Sequence, residues 1–165
     1  MKKLILTLPI LAAFMNVHPA LADTGSNDVV SLGYAQQHSD RAGTLHGFRL
    51  GDNHALVDSW GLNTSATWTM GSGGDHGNAD HLSLLTGPSY QLNDMLGLYA
   101  QAGPAFFHED NLGTKWGYGY GAGLQITPRE DMNITVGYEG ADFDRTRSSG
   151  SLDTNGWNLG FGYRF

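Results

Sequence analysis

The chain has 165 residues, 40% hydrophobic and 15% charged, with a formal net charge of −7. That length bounds it to one domain, the apolar content excludes a disordered chain, and the acidic balance argues against a general nucleic-acid binder. It has no cysteine, which excludes a disulfide framework and thiolate metal sites, while 24 glycines and 11% aromatics point to many short strands joined by turns.

The chain opens on the pattern of a secretory leader. Met1-Lys2-Lys3 is a basic start, Leu4 to Val17 an apolar stretch interrupted by Pro9, and Ala20-Leu21-Ala22 a small-x-small cleavage pattern before Asp23. The apolar run is shorter than the about 20 residues of a spanning helix. The expected division is a signal peptide over 1–22 and a folded domain over 23–165. No other segment approaches a transmembrane helix, so a chain that stays in a membrane must cross it with strands.

From Asp28 the residues alternate at the two-residue period of β-strands. Val30, Leu32 and Tyr34 share one face and Ser31, Gly33, Ala35 and Gln37 the other, with 38–44 read as a loop. Phe48 and Leu50 alternate with Gly47 and Arg49, and 51–59 is read as a connection. Leu62, Thr64, Ala66, Trp68 and Met70 oppose Asn63, Ser65, Thr67 and Thr69, followed by a polar loop over 71–80. Leu82, Leu84, Pro88 and Tyr90 oppose Ser83, Gly87, Ser89 and Gln91, and Asn93-Asp94 predicts a tight turn. Leu96, Leu98, Ala100, Ala102 and Phe106 oppose Gly97, Tyr99, Gln101 and Gly103, with 108–114 as loop. Trp116, Tyr118, Tyr120, Ala122, Leu124 and Ile126 oppose Gly117, Gly119, Gly121, Gly123 and Gln125. A turn over 128–131 leads to Met132, Ile134, Val136 and Tyr138 against Asn133, Thr135, Gly137 and Glu139. The last loop, 142–153, precedes a closing strand with Trp157, Leu159, Phe161, Tyr163 and Phe165 on one face and Asn158, Gly160, Gly162 and Arg164 on the other.

These segments predict an all-β fold: an eight-stranded antiparallel up-and-down transmembrane β-barrel with alternating short turns and longer polar loops. A soluble lipocalin-like barrel has the same period with its faces exchanged. Three features decide between them. The small, polar face lacks the Lys and Glu of a soluble surface and suits the narrow interior of an eight-stranded barrel. Aromatics such as Tyr34, Trp68, Tyr90, Trp116, Tyr138 and Trp157 lie toward strand ends, where interfacial belts form. Arg49, Glu139 and Arg164 can pair inside, as buried charges must. With Gln125 they are the expected polar network of the lumen, plugging it against conduction, with Arg164 beside Glu139 or Arg49. The closing strand should pair with 29–36 to complete the ring.

Other chemistry has weaker support. The Gly117 to Gly123 run has strict two-residue spacing and opens no helix, unlike a nucleotide-binding loop. His76, His81 and His108 with Asp75, Asp80 and Asp110 are read as solvated loop residues rather than a metal site. His38-Ser39-Asp40 holds the residue types of acyl transfer, but adjacent residues of a strand point apart. No catalytic, cofactor or metal residues are expected.

Gly160-Phe-Gly-Tyr-Arg-Phe165, the stretch Tyr118 to Pro128, Val136-Gly-Tyr-Glu139, Gly87-Pro-Ser-Tyr90 and Leu32-Gly-Tyr-Ala-Gln36 resemble the Ail/Lom/OmpX family of enterobacterial outer-membrane proteins. The resemblance runs along the chain from Asp23 onward. It implies an outer-membrane barrel, inserted by machinery that reads the C-terminal aromatics Phe161, Tyr163 and Phe165, with loops exposed at the cell surface. It further implies a surface protein of host attachment, invasion or serum resistance, with adhesion and virulence as its setting and host surface or serum proteins as partners. The alternatives are an envelope barrel that interacts with lipopolysaccharide and has no host ligand and, more remotely, a lipid-modifying enzyme. Arg41, Lys115, Arg145 and Arg147 are the candidate loop contacts, and the barrel is expected to be a monomer in outer-membrane lipid.

Overall fold

The structure, a computed structural model, describes residues 28–72, 77–110, 113–143 and 152–164. The leader, Asp75, His76, Arg145, Arg147 and Phe165 lie outside the described residues. Eight strands run β1 (Val29–Ser39), β2 (Gly43–Val57), β3 (Trp60–Ser72), β4 (Asn78–Asn93), β5 (Leu96–Glu109), β6 (Gly113–Arg129), β7 (Met132–Phe143) and β8 (Leu152–Arg164). Each pairs antiparallel with its neighbour, and β8 returns to β1 with Val29 opposite Arg164 and Ser39 opposite Thr154, closing the barrel. The expected ring closure is present.

Following paired residues once around the ring, from Val30 through Asp52, Thr64, Thr86, Ala102, Tyr120, Gly140 and Asn155, returns to His38. The return point lies eight residues along β1, so strand number and shear are both eight. That combination sets a strand tilt of about 36° and an interior just wide enough for side chains.

Two expectations about connections are corrected. Residues 51–57 are strand, because the backbone of β2 pairs with β1 and β3 along this stretch. Asp28 anchors its end, its carboxylate accepting from the Ala55 N–H at 3.0 Å and meeting His54 Nδ1 at 2.8 Å. The loop ends of the strands also extend further than hydropathy shows. His38 and Ser39, Gly43 and Thr44, Asn78 to His81, His108 and Glu109, and Asp142 and Phe143 all belong to strands. Backbone pairing satisfies these segments whatever their side chains.

At the other end, two-residue turns at 58–59, 94–95 and 130–131 join the strands. The second falls one residue later than the sequence predicts, because Asn93 Oδ1 accepts from the backbone N–H groups of Met95 (2.9 Å) and Leu96 (3.0 Å). Asp58 holds a φ of 53°, the left-handed conformation that Asp tolerates in tight turns.

Side chains sort by parity. Odd positions of β1 to β7 and even positions of β8 point inward. The outward face carries Leu32, Leu62, Leu98, Leu124, Val136, Leu159 and Phe161, all exposed, as a wall suited to hydrocarbon. Trp60, Tyr90 and Tyr163 belt it near the short-turn end, and Tyr34, Phe48, Trp68, Tyr120, Tyr138 and Trp157 toward the loop end. Neighbours within these belts touch: Trp60 on Tyr90 (4.9 Å between ring centres), Phe48 on Trp68 (5.6 Å) and Tyr34 on Trp157 (5.6 Å).

Candidate functional site

The inward residues form successive layers from the loop end down. At the top, Arg41 from the 40–42 turn reaches across the mouth to Glu109 on β5. Its Nε and one terminal nitrogen each donate to a different carboxylate oxygen at 3.4 Å. Glu109 is fully buried and Arg41 is 29% exposed, so the pair is a lid and the arginine is committed to it. Arg41→Lys, which keeps the charge but loses the two-nitrogen grip, should cost about 1 kcal/mol of stability in a urea titration.

Beneath the lid lies an apolar layer of Ala42, Leu45, Ala79, Ala105, Phe107, Ala141 and Phe143. This corrects the expectation of a wholly small and polar interior. Phe143 falls in a segment read as loop, Leu45 lies between the 38–44 loop and the alternation of β2, and Leu85 and Phe107 are inward positions whose size the alternation hides. The glycines of β6 make room for them: a Cβ on Gly119 would stand 2.8 Å from Leu85 Cδ2. His81 joins this layer edge-on to Phe143 (5.9 Å), fully buried, with neither ring nitrogen hydrogen-bonded. His108 points outward and meets Thr114 Oγ1 at 3.0 Å. The two described histidines of the loop cluster therefore do not converge, because they lie on opposite faces.

The middle layer is polar. Glu139 on β7 gathers Gln37 Nε2 (3.3 Å), Thr67 Oγ1 (2.9 Å) and the Ser83 hydroxyl, all as donors from strands across the lumen. Thr69 donates to Gln37 at 3.3 Å. Below, Arg49 donates to Asn63 Oδ1 at 3.5 Å, Gln101 donates to the same oxygen, and Ser65 donates to Gln101 at 2.9 Å. The Arg49 guanidinium also stands 5.5 Å from the centre of the Tyr99 ring.

Arg164 is elsewhere. It opposes Val29 whereas Glu139 opposes Gly156, eight positions up β8, or about 26 Å at the rise of a strand. Its guanidinium donates to Thr127 Oγ1 at 3.2 Å, beside Asn133 and Thr135. Gln125 is buried nearby, and with Asn53, Gln91 and Arg164 it lines a 460 Å³ cavity at the short-turn mouth. The four residues expected to meet are therefore set apart: Glu139 and Arg49 hold separate hydrogen-bonded clusters at mid-barrel, while Arg164 bonds to Thr127 and Gln125 lies buried toward the short turns. Parity places all four inside, but only the shear decides which share a level.

The outer rim of the loop end carries exposed aromatic side chains. Trp116 packs edge-on to Phe106 (4.6 Å), and Tyr118, at 80% exposure, stands next to Asp142 across the β6–β7 pairing. Lys115 lies on the inward side of β6 opposite Phe107, not on a loop as expected, because β6 begins at Gly113. His38 and Ser39 point to opposite faces of β1.

The arrangement is a barrel with a largely filled interior, Trp116 and Tyr118 standing at its loop-end rim. The outer membrane protein β-barrel domain family matches residues 6–165. The attachment invasion locus protein of Yersinia enterocolitica is 33% identical over the whole of both chains, and outer membrane protein X of Escherichia coli K12 is 32% identical, again over the whole of both. The crystal structure of Ail, the attachment invasion locus protein of Yersinia pestis, superposes on 86% of this chain and 100% of its own, with a TM-score of 0.69 and 26% identity. The short-turn end therefore faces the periplasm and the loop end the cell surface. The chain belongs to the Ail/Lom/OmpX family of outer-membrane β-barrels.

Proposed function

We propose that this barrel is a surface interaction protein that promotes attachment to host cells, invasion or survival in serum, through its outer rim and the 142–153 segment that the sequence reads as its last loop. The carrying observation is its full-length identity with a protein named for attachment and invasion. The filled lumen supports this reading, since the interior of the barrel is spent on the Arg41–Glu109 lid, the apolar layer and the Glu139 network. Contacts then fall to Trp116, Tyr118 and the loop arginines Arg145 and Arg147, whose charge-assisted bonds would suit carboxylate or phosphate groups.

In this reading residues 1–22 are the removed leader, and Phe161, Tyr163 and Phe165 carry the insertion signal. In the same reading the barrel acts by contact and not as an enzyme, in keeping with His38 and Ser39 pointing to opposite faces of β1 and with relatives named for attachment and invasion. The test is expression in a non-adherent strain lacking its own adhesins, followed by host-cell binding and serum-survival assays. Binding should rise on expression and fall about tenfold in an Arg145→Ala, Arg147→Ala double variant. If neither host-cell binding nor serum survival changes on expression, the reading is wrong. A changed sensitivity to detergent alone would then support the envelope barrel.

A further inference from the structure

His81 is a titratable ring set inside the apolar upper layer. It is fully buried, stands opposite Thr69 and Phe107 in the ladder and edge-on to Phe143, and neither ring nitrogen has a hydrogen-bond partner. Among the described residues, the charged groups that face it are held elsewhere. Glu109 on β5, one inward position above Phe107, is gripped by Arg41 from the 40–42 turn. Lys115 opposes Phe107 on β6. Glu139 on β7 lies in the layer below, where Gln37, Thr67 and Ser83 hold it. Asp80 on β4 and Asp142 on β7 point to the outer face. A ring so placed stays neutral, because an imidazolium would shed its water and find no acceptor in exchange.

The turn that carries the lid also carries part of this layer. Ala42, buried in the layer, follows Arg41, and Gly43 after it holds a φ of 70° with nothing within 4 Å of where a side chain would begin. Swinging the turn outward on Gly43 lifts Arg41 from Glu109 and Ala42 from the layer together, and admits water to His81. Such local openings cost less than unfolding the whole domain. A hydrated imidazole takes up its proton near pH 6.5, so the open state binds a proton that the closed state refuses. Acid therefore favours opening, by up to about tenfold in the opening constant for each pH unit below about 6.5. A protonated His81 also offers Glu109 a donor in place of Arg41.

We propose that His81 and the Arg41–Glu109 lid form an acid-released latch, closed at neutral pH, that opens the loop end of the lumen to water in acidic surroundings. The latch does not depend on what the rim binds. The chain has no cysteine, so an introduced thiol is the only one. Ala105→Cys places it in the buried layer, on β5 opposite Ser83 and Gly117. The folded barrel in lipid vesicles is reacted with dipyridyl disulfide, which stays reactive in acid, and each rate is divided by that of glutathione at the same pH. The normalised rate should rise about 25-fold from pH 7 to pH 5. In His81→Leu and His81→Asn backgrounds, which cannot take the proton and whose folding is checked by heat-modified gel mobility, the rise should stay below about threefold. A rate that is flat between pH 7 and pH 5, or a full rise that survives in either folded His81 background, would overturn the latch. So would an equal rise at Thr135→Cys, buried toward the short turns, since the whole barrel would then be loosening.

Discussion

Glu139→Ala should lower the unfolding free energy of the barrel in lipid vesicles by about 3–5 kcal/mol, read from urea titrations of tryptophan fluorescence. The size follows from what the carboxylate holds. Its two oxygens accept from Gln37, Thr67 and Ser83, on strands β1, β3 and β4, so one side chain on β7 ties together walls that do not pair through backbone. Alanine leaves three buried donors without their acceptor, and leaves Arg49 as a buried cation that has lost its nearby carboxylate. Glu139→Gln separates the causes. It keeps the volume and one acceptor oxygen, and the Thr67 hydroxyl can rotate to accept from the new amide, so the cost should be about 1–2 kcal/mol. Equal losses for Ala and Gln would show that charge, rather than the three bonds, is what matters.

The contrast between Glu139 and Arg164 marks what the sequence can show. Alternation is local, so inward and outward faces were legible from Val30 to Tyr163, and with them the strand number and the lipid-facing wall. Which inward residues meet is not local. It depends on a shear that accumulates around the ring, so Arg164 reads as a partner for Glu139 although Gly156 is the residue that opposes it. Loop boundaries failed for a related reason. Segments 38–44 and 108–114 are polar, yet their ends, 38–39 with 43–44 and 108–109 with 113–114, are drawn into the ladder because each offers the other backbone partners. The apolar upper layer is hidden because Phe143 lies in the segment 142–153, read as loop, and Leu45 just past the polar stretch 38–44, before the alternation of β2 begins. The rim chemistry is the least legible part, since Arg41 looks like a free loop cation and is instead held by Glu109, 68 positions away.

Shear also explains the second large effect, at Gly137. Tyr99, Gly123, Gly137 and Asn158 occupy one paired row across β5 to β8. The Tyr99 side chain lies flat along that row over both glycines: a Cβ on Gly123 would stand 2.6 Å from its Cζ, and one on Gly137 would overlap its hydroxyl and stand 2.9 Å from Asn158 Oδ1. The ring in turn floors the Arg49 guanidinium. Gly137→Val must therefore push Tyr99 off its platform and disturb Arg49 as well, and should cost about 3 kcal/mol, the upper end for overpacking a close-packed interior. Because the groups in the way are the ends of the Tyr99 and Asn158 side chains and not backbone, the damage should be conditional. In a Tyr99→Ala background the valine enters the space the ring has left, so the double variant should be more stable than the sum of the single losses by about 1–2 kcal/mol. Strict additivity in that cycle would mean that the glycine serves the backbone of β7 alone. Positive coupling would establish that Gly137 stays bare to seat Tyr99 beneath Arg49.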